Sequence, residues 1–413
     1  MERMSAEEWK RLDVLKRVAG GELTRGQAGQ VLGLTKRQVR RLLRAYEARG
    51  RQSLAHGNAG REPANRTPER VRERVLALRK GKYEGFNDQH FTEKLEGEGL
   101  AVSRSSVRRW LREAGIGPVK RRRPTRHRRR RDRKAQSGLM VLWDGSRHEW
   151  LEDRGPVLCL IGAIDDATGD VLPGAHFLEQ ECAAGYLATL RAIVREKGVP
   201  LSAYMDRHSS LARNDGHWTL EEELRGEQDP TQVGRALQAL GVEMIFALSP
   251  QAKGRVERLW GTLQDRLVSE LRLAGVSTCA EANAVLARYV PEHNARFAIA
   301  AADSTPAWRP VRGDIERMCS FGYASIVQND NTVRLGGRVI DIPPGPQRRS
   351  YAKAQVEVRQ LLDGSWRVYH RDRLIAVADP SRPEELRAIK RTKKTQGRGR
   401  LIPEKGQWLS VMT

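Results

Sequence analysis

The sequence has no apolar run approaching the roughly 18 residues that a membrane-spanning helix needs, and its mean hydropathy is −0.61. Its N-terminal stretch, MERMSAEEWKRLDVLKRV, is charged throughout and lacks the apolar centre of a secretion signal. A membrane is therefore not an expected partner, and the cytoplasm is the expected compartment. Cysteine is scarce. Cys159, Cys182, Cys279 and Cys319 lie far apart with no C-x-x-C pair, so neither a disulfide framework nor a zinc ribbon is indicated. Acidic residues are outnumbered, 51 against 74 Lys and Arg, which leaves a net charge of +23. Such an excess favours a polyanionic partner, above all nucleic acid.

The length of 413 residues exceeds what one core organises, since single cores stop growing somewhere above about 250 residues. Several domains are expected. In residues 1–55, three short helical patterns are separated by Gly20-Gly21 and Gly33-Leu34, with Thr24 and Thr35 placed as N-caps. Leu15, Val18, Ala28, Val31, Leu32, Val39, Leu42 and Leu43 form the candidate core. The third helix turns Lys36, Arg37, Arg40, Arg41 and Arg44 outward, as a helix in the major groove beside phosphates requires. The expectation is a helix-turn-helix rather than a solvated bundle.

A second unit of this kind is expected in residues 65–118. Thr67-Pro68-Glu69 opens its first helix, Val71, Val75, Leu78, Phe91, Leu95, Val107 and Leu111 are core candidates, and Ser103 caps a helix carrying Arg104, Ser105, Arg108 and Arg109. Residues 119–137 contain KRRRPTRHRRRRDRK, too polar to form a core. We read this segment as a basic linker whose Arg121, Arg122, Arg123, Arg128, Arg129 and Arg130 contact phosphates.

Residues 138–312 alternate strand and helix patterns, as in an α/β domain. A strand from Leu139 to Trp143 ends at Asp144; Val157 to Ile164, a turn at Asp165–Gly169 and Asp170 to Phe177 follow. A helix from about Ala183 to Lys197 leads to the strand Leu201–Met205, which ends at Asp206. A helix near Thr231–Leu240, a strand Val242–Ala247 and a long helix carrying Glu257 complete the pattern. Carboxylates brought together at strand ends repel one another unless cations neutralise them. Oxygen-only ligands suit Mg²⁺, with Mn²⁺ as a substitute. Two such ions about 3.5–4 Å apart would serve in-line displacement at phosphorus. On the long helix Val256, Leu259, Trp260, Leu263, Leu267 and Leu271 mark one face, Glu257 lies at its edge, and Lys253 lies one turn earlier within reach of a phosphate. Gly261, one turn later, leaves room either for a DNA backbone or for a packed helix.

The series WDGS at 143–146, IDDATG at 164–169, YMDRHSS at 204–210 and SPQAKGRVERLWGTLQDRL at 249–267 resembles the integrase-type catalytic core of bacterial insertion-sequence transposases. The resemblance is greatest to the ISNCY group and more remote to retroviral integrases; it covers roughly residues 10 to 380. It implies an RNase H-like fold in which Asp144, Asp206 and Glu257 are the catalytic, metal-binding acids. It also implies strand cleavage and joining at the terminal inverted repeats of a mobile element, by a homodimer or higher assembly acting on double-stranded end and target DNA. The sequence departs from the pattern in three ways. Asp206 and Glu257 lie 51 positions apart, a long interval that we assign to an inserted loop, His208 to Asp229. Arg207-His208 replaces the common Asn-Gly, and helix-turn-helix units stand where retroviral integrases carry a zinc module.

The other acids read more plainly. Asp165 and Asp166 are expected to form a turn, and Asp265 to face solvent. His208 and His217 fall in the inserted loop, where they could touch DNA or a metal-bound water, although loose loop histidines usually do neither. Residues 325–380 alternate around Gly336-Gly337 and Asp363-Gly364, which predicts a small SH3-like β-barrel. Arg334, Arg338, Arg359, Arg367 and Arg371 are its candidate DNA-facing residues. Residues 381–413 read as a basic flexible tail, with Leu401–Met412 able to order on a partner. The expected architecture is thus multidomain: all-α helix-turn-helix modules, an α/β RNase H-like core and a small barrel. Two rival functions remain open, a catalytically inactive DNA-binding regulator derived from a transposase, and a nuclease that cuts without joining.

Overall fold

A computed structural model describes residues 6–54, 67–120, 131–213, 216, 218–247 and 254–386. The chain forms two compact units, Met1–Val75 and Leu76–Thr413. In the first, α1 (Ala6–Ala19), α2 (Arg25–Leu32) and α3 (Lys36–Arg49) close around Leu12, Val14, Leu15, Ala28, Val39, Leu43 and Leu54. Thr24 and Thr35 both complete capping boxes, with Gln27 and Gln38, each stabilising its helix by about 1 kcal/mol. Gly33 ends α2 in the left-handed conformation, φ 65°, which turns the chain into α3. Val18, Leu32 and Leu42 are half-buried, and Val31 is exposed, contrary to its expected place in the core.

Helix α4 (Glu69–Lys80) runs across the unit boundary, followed by α5 (Asp88–Gly97) and α6 (Arg104–Glu113). Leu78, Phe91, Leu95, Val107 and Leu111 are buried as expected, and Ser103 caps α6 through the backbone N–H of Ser106.

The α/β core is a five-stranded sheet in the order β3-β2-β1-β4-β5. Its strands are β1 (Met140–His148), β2 (Leu158–Asp165), β3 (His176–Leu178), β4 (Ser202–Met205) and β5 (Glu243–Phe246). Strand β2 is antiparallel to both β1 and β3, whereas β4 runs parallel to β1 and β5 parallel to β4. The expected strand Asp170–Phe177 is shorter than its pattern suggests: it is reduced to β3 and a single bridge between Ile164 and Val171. On one face α7 (Ala183–Glu196) and α9 (Gln232–Ala239) pack on Val141, Trp143, Ile161, Ala203 and Met205. On the other, α10 (Gly254–Leu273) and α11 (Cys279–Phe297) pack on Met140, Leu142, Leu160 and Ile164. This separation by odd and even position follows the period-2 alternation of a strand. The whole apolar stripe predicted for α10 is buried.

The segment between Asp206 and α9 contains a helix, α8 (Leu220–Arg225), where a plain loop was expected. Buried Glu222 anchors it, accepting from the backbone N–H of Thr219 and Asp229 and pairing with Arg213. After α12 (Ile315–Met318) come β6 (Phe321–Ile326), β9 (Gln355–Gln360), β10 (Trp366–His370) and β11 (Arg373–Ala378), an open antiparallel sheet in the order β11-β10-β9-β6. The hairpin β7 (Thr332–Leu335) and β8 (Arg338–Asp341) forms its own two-stranded sheet. The expected barrel is therefore not closed among the described residues. Phe321 and Cys319 belong to the core beneath α7, and Gln232 exchanges two hydrogen bonds with the Gly322 backbone, which leaves β6 pinned to the α/β layer.

Candidate active site

Asp144 does not end its strand. It lies inside β1, which continues to His148 because it stays paired with β2 throughout, Asp144 opposite Gly162. What ends near Asp144 is the parallel pairing with β4, whose last partners are Leu142 and Tyr204. Two residues further along both segments, a continuation of that register would set Asp144 level with Asp206, which lies just past the end of β4. Neighbouring strands are about 4.8 Å apart, and both carboxylates lie near enough to Tyr186 for their charges to act on its phenol. By alternation Asp144 shares the side of Met140 and Leu142, the face covered by α10.

Helix α10 meets that face directly. Trp260 Nε1 donates to Asp144 Oδ2 at 2.9 Å. Glu257 precedes Trp260 by three residues, nearly one helical turn, and is exposed in the first turn of α10. The structure thus brings Asp144 and Asp206 together and sets Glu257 on the adjoining helix. Among the described residues, no three His, Cys, Asp or Glu side chains are gathered closely enough to hold a metal ion. The donor chemistry nevertheless fits a hard divalent cation: one carboxylate on β1, one just past β4, and a third on the helix tied to the first.

A further acid, unexpected from sequence, stands nearby, against Gly145 on the α7 side of β1. Glu181 Oε1 accepts from Tyr186 Oη at 2.5 Å and lies 3.3 Å from His208 Nδ1. Burial, then the negative charges of Glu181, Asp144 and Asp206, push the Tyr186 phenol far above its usual range. Burial, with Glu181 and Asp144 adding to it, likewise pushes the Cys159 thiol up to about 12. A Cβ on Gly145 would lie 2.7 Å from the Glu181 carboxyl carbon. The glycine of the WDGS segment is therefore the available clue, since its missing side chain admits Glu181. His208 also donates its backbone N–H to Asp206 Oδ1 at 2.9 Å, holding the chain just past β4.

Of the other acids, one behaves as expected and two differ. Asp165 is the turn former predicted, accepting from the backbone N–H of Ala167 and Thr168, and burial raises its pKa. Asp166 is wholly buried and paired with Arg131 and Arg255. Burial alone would raise its pKa, but Arg131 and the other partners outweigh it and the net shift is downward. Asp265 is half-buried rather than solvent-facing, accepting from Asn87 Nδ2. It belongs to a polar seam between α5 and α10, in which Glu270 meets His90 and Lys94, and Glu93 meets Arg266. Among the described residues nothing lies within 4 Å of where a Gly261 Cβ would sit, so none of them packs there as the reason for the glycine.

The candidate DNA-contacting residues Lys36, Arg37, Arg40, Arg41 and Arg44 are all exposed on α3, as are Arg104, Ser105, Arg108 and Arg109 on α6. Arg109 lies 3.9 Å from Glu113. Arg121, Arg122, Arg123, Arg128, Arg129, Arg130, His217 and Lys253 lie outside the described residues, as does the tail beyond 386. On the C-terminal sheet Arg334, Arg359 and Arg367 pair with Asp330, Glu357 and Asp314, and Arg338 lies over the Trp366 ring. No helix among the described residues is long and apolar enough to cross a membrane.

A helix-turn-helix domain family matches residues 10–62. Over 86% of its length the chain is 36% identical to a Sinorhizobium fredii protein, y4bF, named as a transposase, and covers 79% of it. It is 33% identical to the transposase of insertion sequence IS1202 of Streptococcus pneumoniae, over 70% of this chain and 68% of that one. A chain of the simian T-cell lymphotropic virus intasome, solved in complex with PP2A regulatory subunit B56 gamma, aligns over its full length and 74% of this chain. That alignment has 13% identity and a TM-score of 0.31, too loose a superposition to bear on the fold.

Proposed function

The chain belongs to the transposases of insertion sequences, and on that premise we propose that it binds the terminal inverted repeats of its own element and cleaves and joins DNA strands with a DDE-type acid triad on an RNase H-like sheet. The observation that carries this reading is the parallel pairing of β1 with β4, which carries Asp144 on one strand and leads to Asp206 just past the other, on the face where Trp260 joins Asp144 to the helix of Glu257. The sheet order, three antiparallel strands followed by two parallel ones, supports the same reading.

Asp144, Asp206 and Glu257 are the residues that would hold two Mg²⁺ ions, or Mn²⁺ in their place. The chemistry such ions supply when bound is activation of the attacking oxygen and stabilisation of the leaving oxygen at phosphorus. The chain's own part is orientation. Trp260 fixes the rotation of the Asp144 carboxylate, and the His208 backbone N–H fixes Asp206. Exposed arginines on α3 and α6 neutralise backbone phosphates and hold the end of the element in register. The protein acts on double-stranded end and target DNA as a homodimer or higher assembly, in the cytoplasm and on the nucleoid.

The test uses labelled duplexes from the DNA flanking the coding sequence, with Mg²⁺ or Mn²⁺. Cleaved and joined products are expected, and Asp144→Asn, Asp206→Asn and Glu257→Gln should each abolish them while DNA binding persists. Specific binding without strand chemistry in either metal would instead identify a DNA-binding regulator. Cleavage without joining would identify a nuclease.

A further inference from the structure

Buried Asp166 gathers three parts of the chain around one carboxylate. Arg131, at the end of the basic linker, approaches it with both terminal nitrogens, at 3.1 and 2.5 Å. The Lys134 backbone N–H donates at 2.8 Å. Arg255, in the first turn of α10, donates from one nitrogen to Asp166 at 2.5 Å and from the other to the Arg131 carbonyl at 2.5 Å. Arg133 caps the turn itself, donating to the Asp166 and Ala167 carbonyls, and it feels the charges of Arg255 and Arg258.

The arrangement resolves an electrostatic conflict. Arg255 lies at the N-terminus of a 20-residue helix, the positive end of the helix dipole, where a cation is unfavourable. Asp166 offsets both the cation and the dipole, so the first turn of α10 has a fixed seat on the IDDATG turn. Glu257 is two residues beyond Arg255 in that same turn. The Asp144–Trp260 bond fixes the helix one turn further on. The start of α10 is thus held at two points, one on each side of Glu257.

We propose that Asp166 and Arg255 are positioning residues for Glu257, with Arg131 completing the seat. The proposal rests on the reading of Glu257 as a catalytic acid. It gives the second aspartate of IDDATG, expected only to shape a turn, a role in the reaction.

The informative substitution is Arg255→Gln, because Asp166 then keeps Arg131 and the Lys134 N–H and is not left as an unpaired buried charge. On full-length protein with labelled flanking duplexes, the variant should bind DNA within about twofold of the parent and cleave at least about tenfold more slowly. The Mg²⁺ concentration for half-maximal cleavage should rise severalfold, and Arg255→Lys should recover part of the loss. Wild-type cleavage and an unshifted Mg²⁺ dependence in Arg255→Gln, with Glu257→Gln inactive, overturn the proposal. So does a loss of cleavage matched by equal losses of DNA binding and thermal stability, with no recovery in Arg255→Lys. Cleavage retained in Glu257→Gln overturns instead the reading of Glu257 on which the proposal rests.

Discussion

The indole N–H of Trp260 meets the carboxylate of Asp144 at 2.9 Å, a direct hydrogen bond between the helix of the third candidate acid and the strand of the first. A hydrogen bond to a charged group contributes about 1.5–3 kcal/mol, and each 1.36 kcal/mol of barrier is about tenfold in rate. Trp260→Phe keeps most of the buried ring and removes the donor. It should slow single-turnover strand cleavage by about ten- to a hundredfold, at a stability cost on the order of 1–2 kcal/mol. Unchanged cleavage would show that Asp144 needs no such restraint.

The stability of the α10–α11 layer should depend on pH through His293. Its ring is buried, and burial, with the nearby Arg266 guanidinium, lowers its pKa to about 4. An unfolded histidine titrates near 6.5. Between those values the unfolded chain takes up a proton that the folded chain refuses, so the native state loses stability as pH falls from about 6.5 to about 4. The shift corresponds to about 3 kcal/mol at most. Urea denaturation across this window should show a flatter pH dependence in His293→Gln than in the parent. Parallel curves would remove His293 as the source.

Much of this architecture is legible from residue pattern because local chemistry and tertiary demand agree. Thr24, Thr35 and Ser103 cap the helices they precede, and the α10 stripe is buried at every expected position. Legibility fails where a polar residue is buried by distant partners. Glu222 anchors α8 inside a segment whose composition reads as loop. Asp265 and Asp166 find partners on α5, on the linker and at the start of α10, contacts that no local periodicity encodes. Strand ends fail differently: β1 runs past Asp144 because β2 continues to pair with it, and the partner's length is not written in the strand's own residues.

Gly145 offers a test of Glu181. An added Cβ would press on the Glu181 carboxylate at 2.7 Å, and that flexible group can yield. Yielding breaks its contacts to Tyr186 and His208, leaving a buried phenol without this acceptor, a loss on the order of 1–3 kcal/mol. Gly145→Ala should therefore lower stability by about that amount and slow cleavage. Tyr186→Phe, which removes the need for the acceptor, should make the added stability loss from Gly145→Ala smaller. Strictly additive losses in a double-mutant cycle would mean that the Glu181 contact to Tyr186 is not what the methyl group disturbs.

The cations of α3 bear on how the protein recognises DNA. Arg40 and Arg44 are one turn apart and exposed on a helix whose opposite face is anchored by buried Val39 and Leu43. Replacing either by Ala should leave the fold intact, because neither contributes to the core. If each neutralises one backbone phosphate, each substitution lowers the slope of log affinity against log salt by about 0.9, equally on specific and unrelated duplexes. A residue that reads a base edge behaves otherwise, costing about 1–3 kcal/mol on the element's own end and much less on unrelated DNA. Measured over a salt series on both duplexes, the pair of slopes distinguishes phosphate clamping from sequence reading for each arginine. A slope unchanged on both, with affinity also unchanged, would remove α3 from the interface and leave α6 as the reading helix.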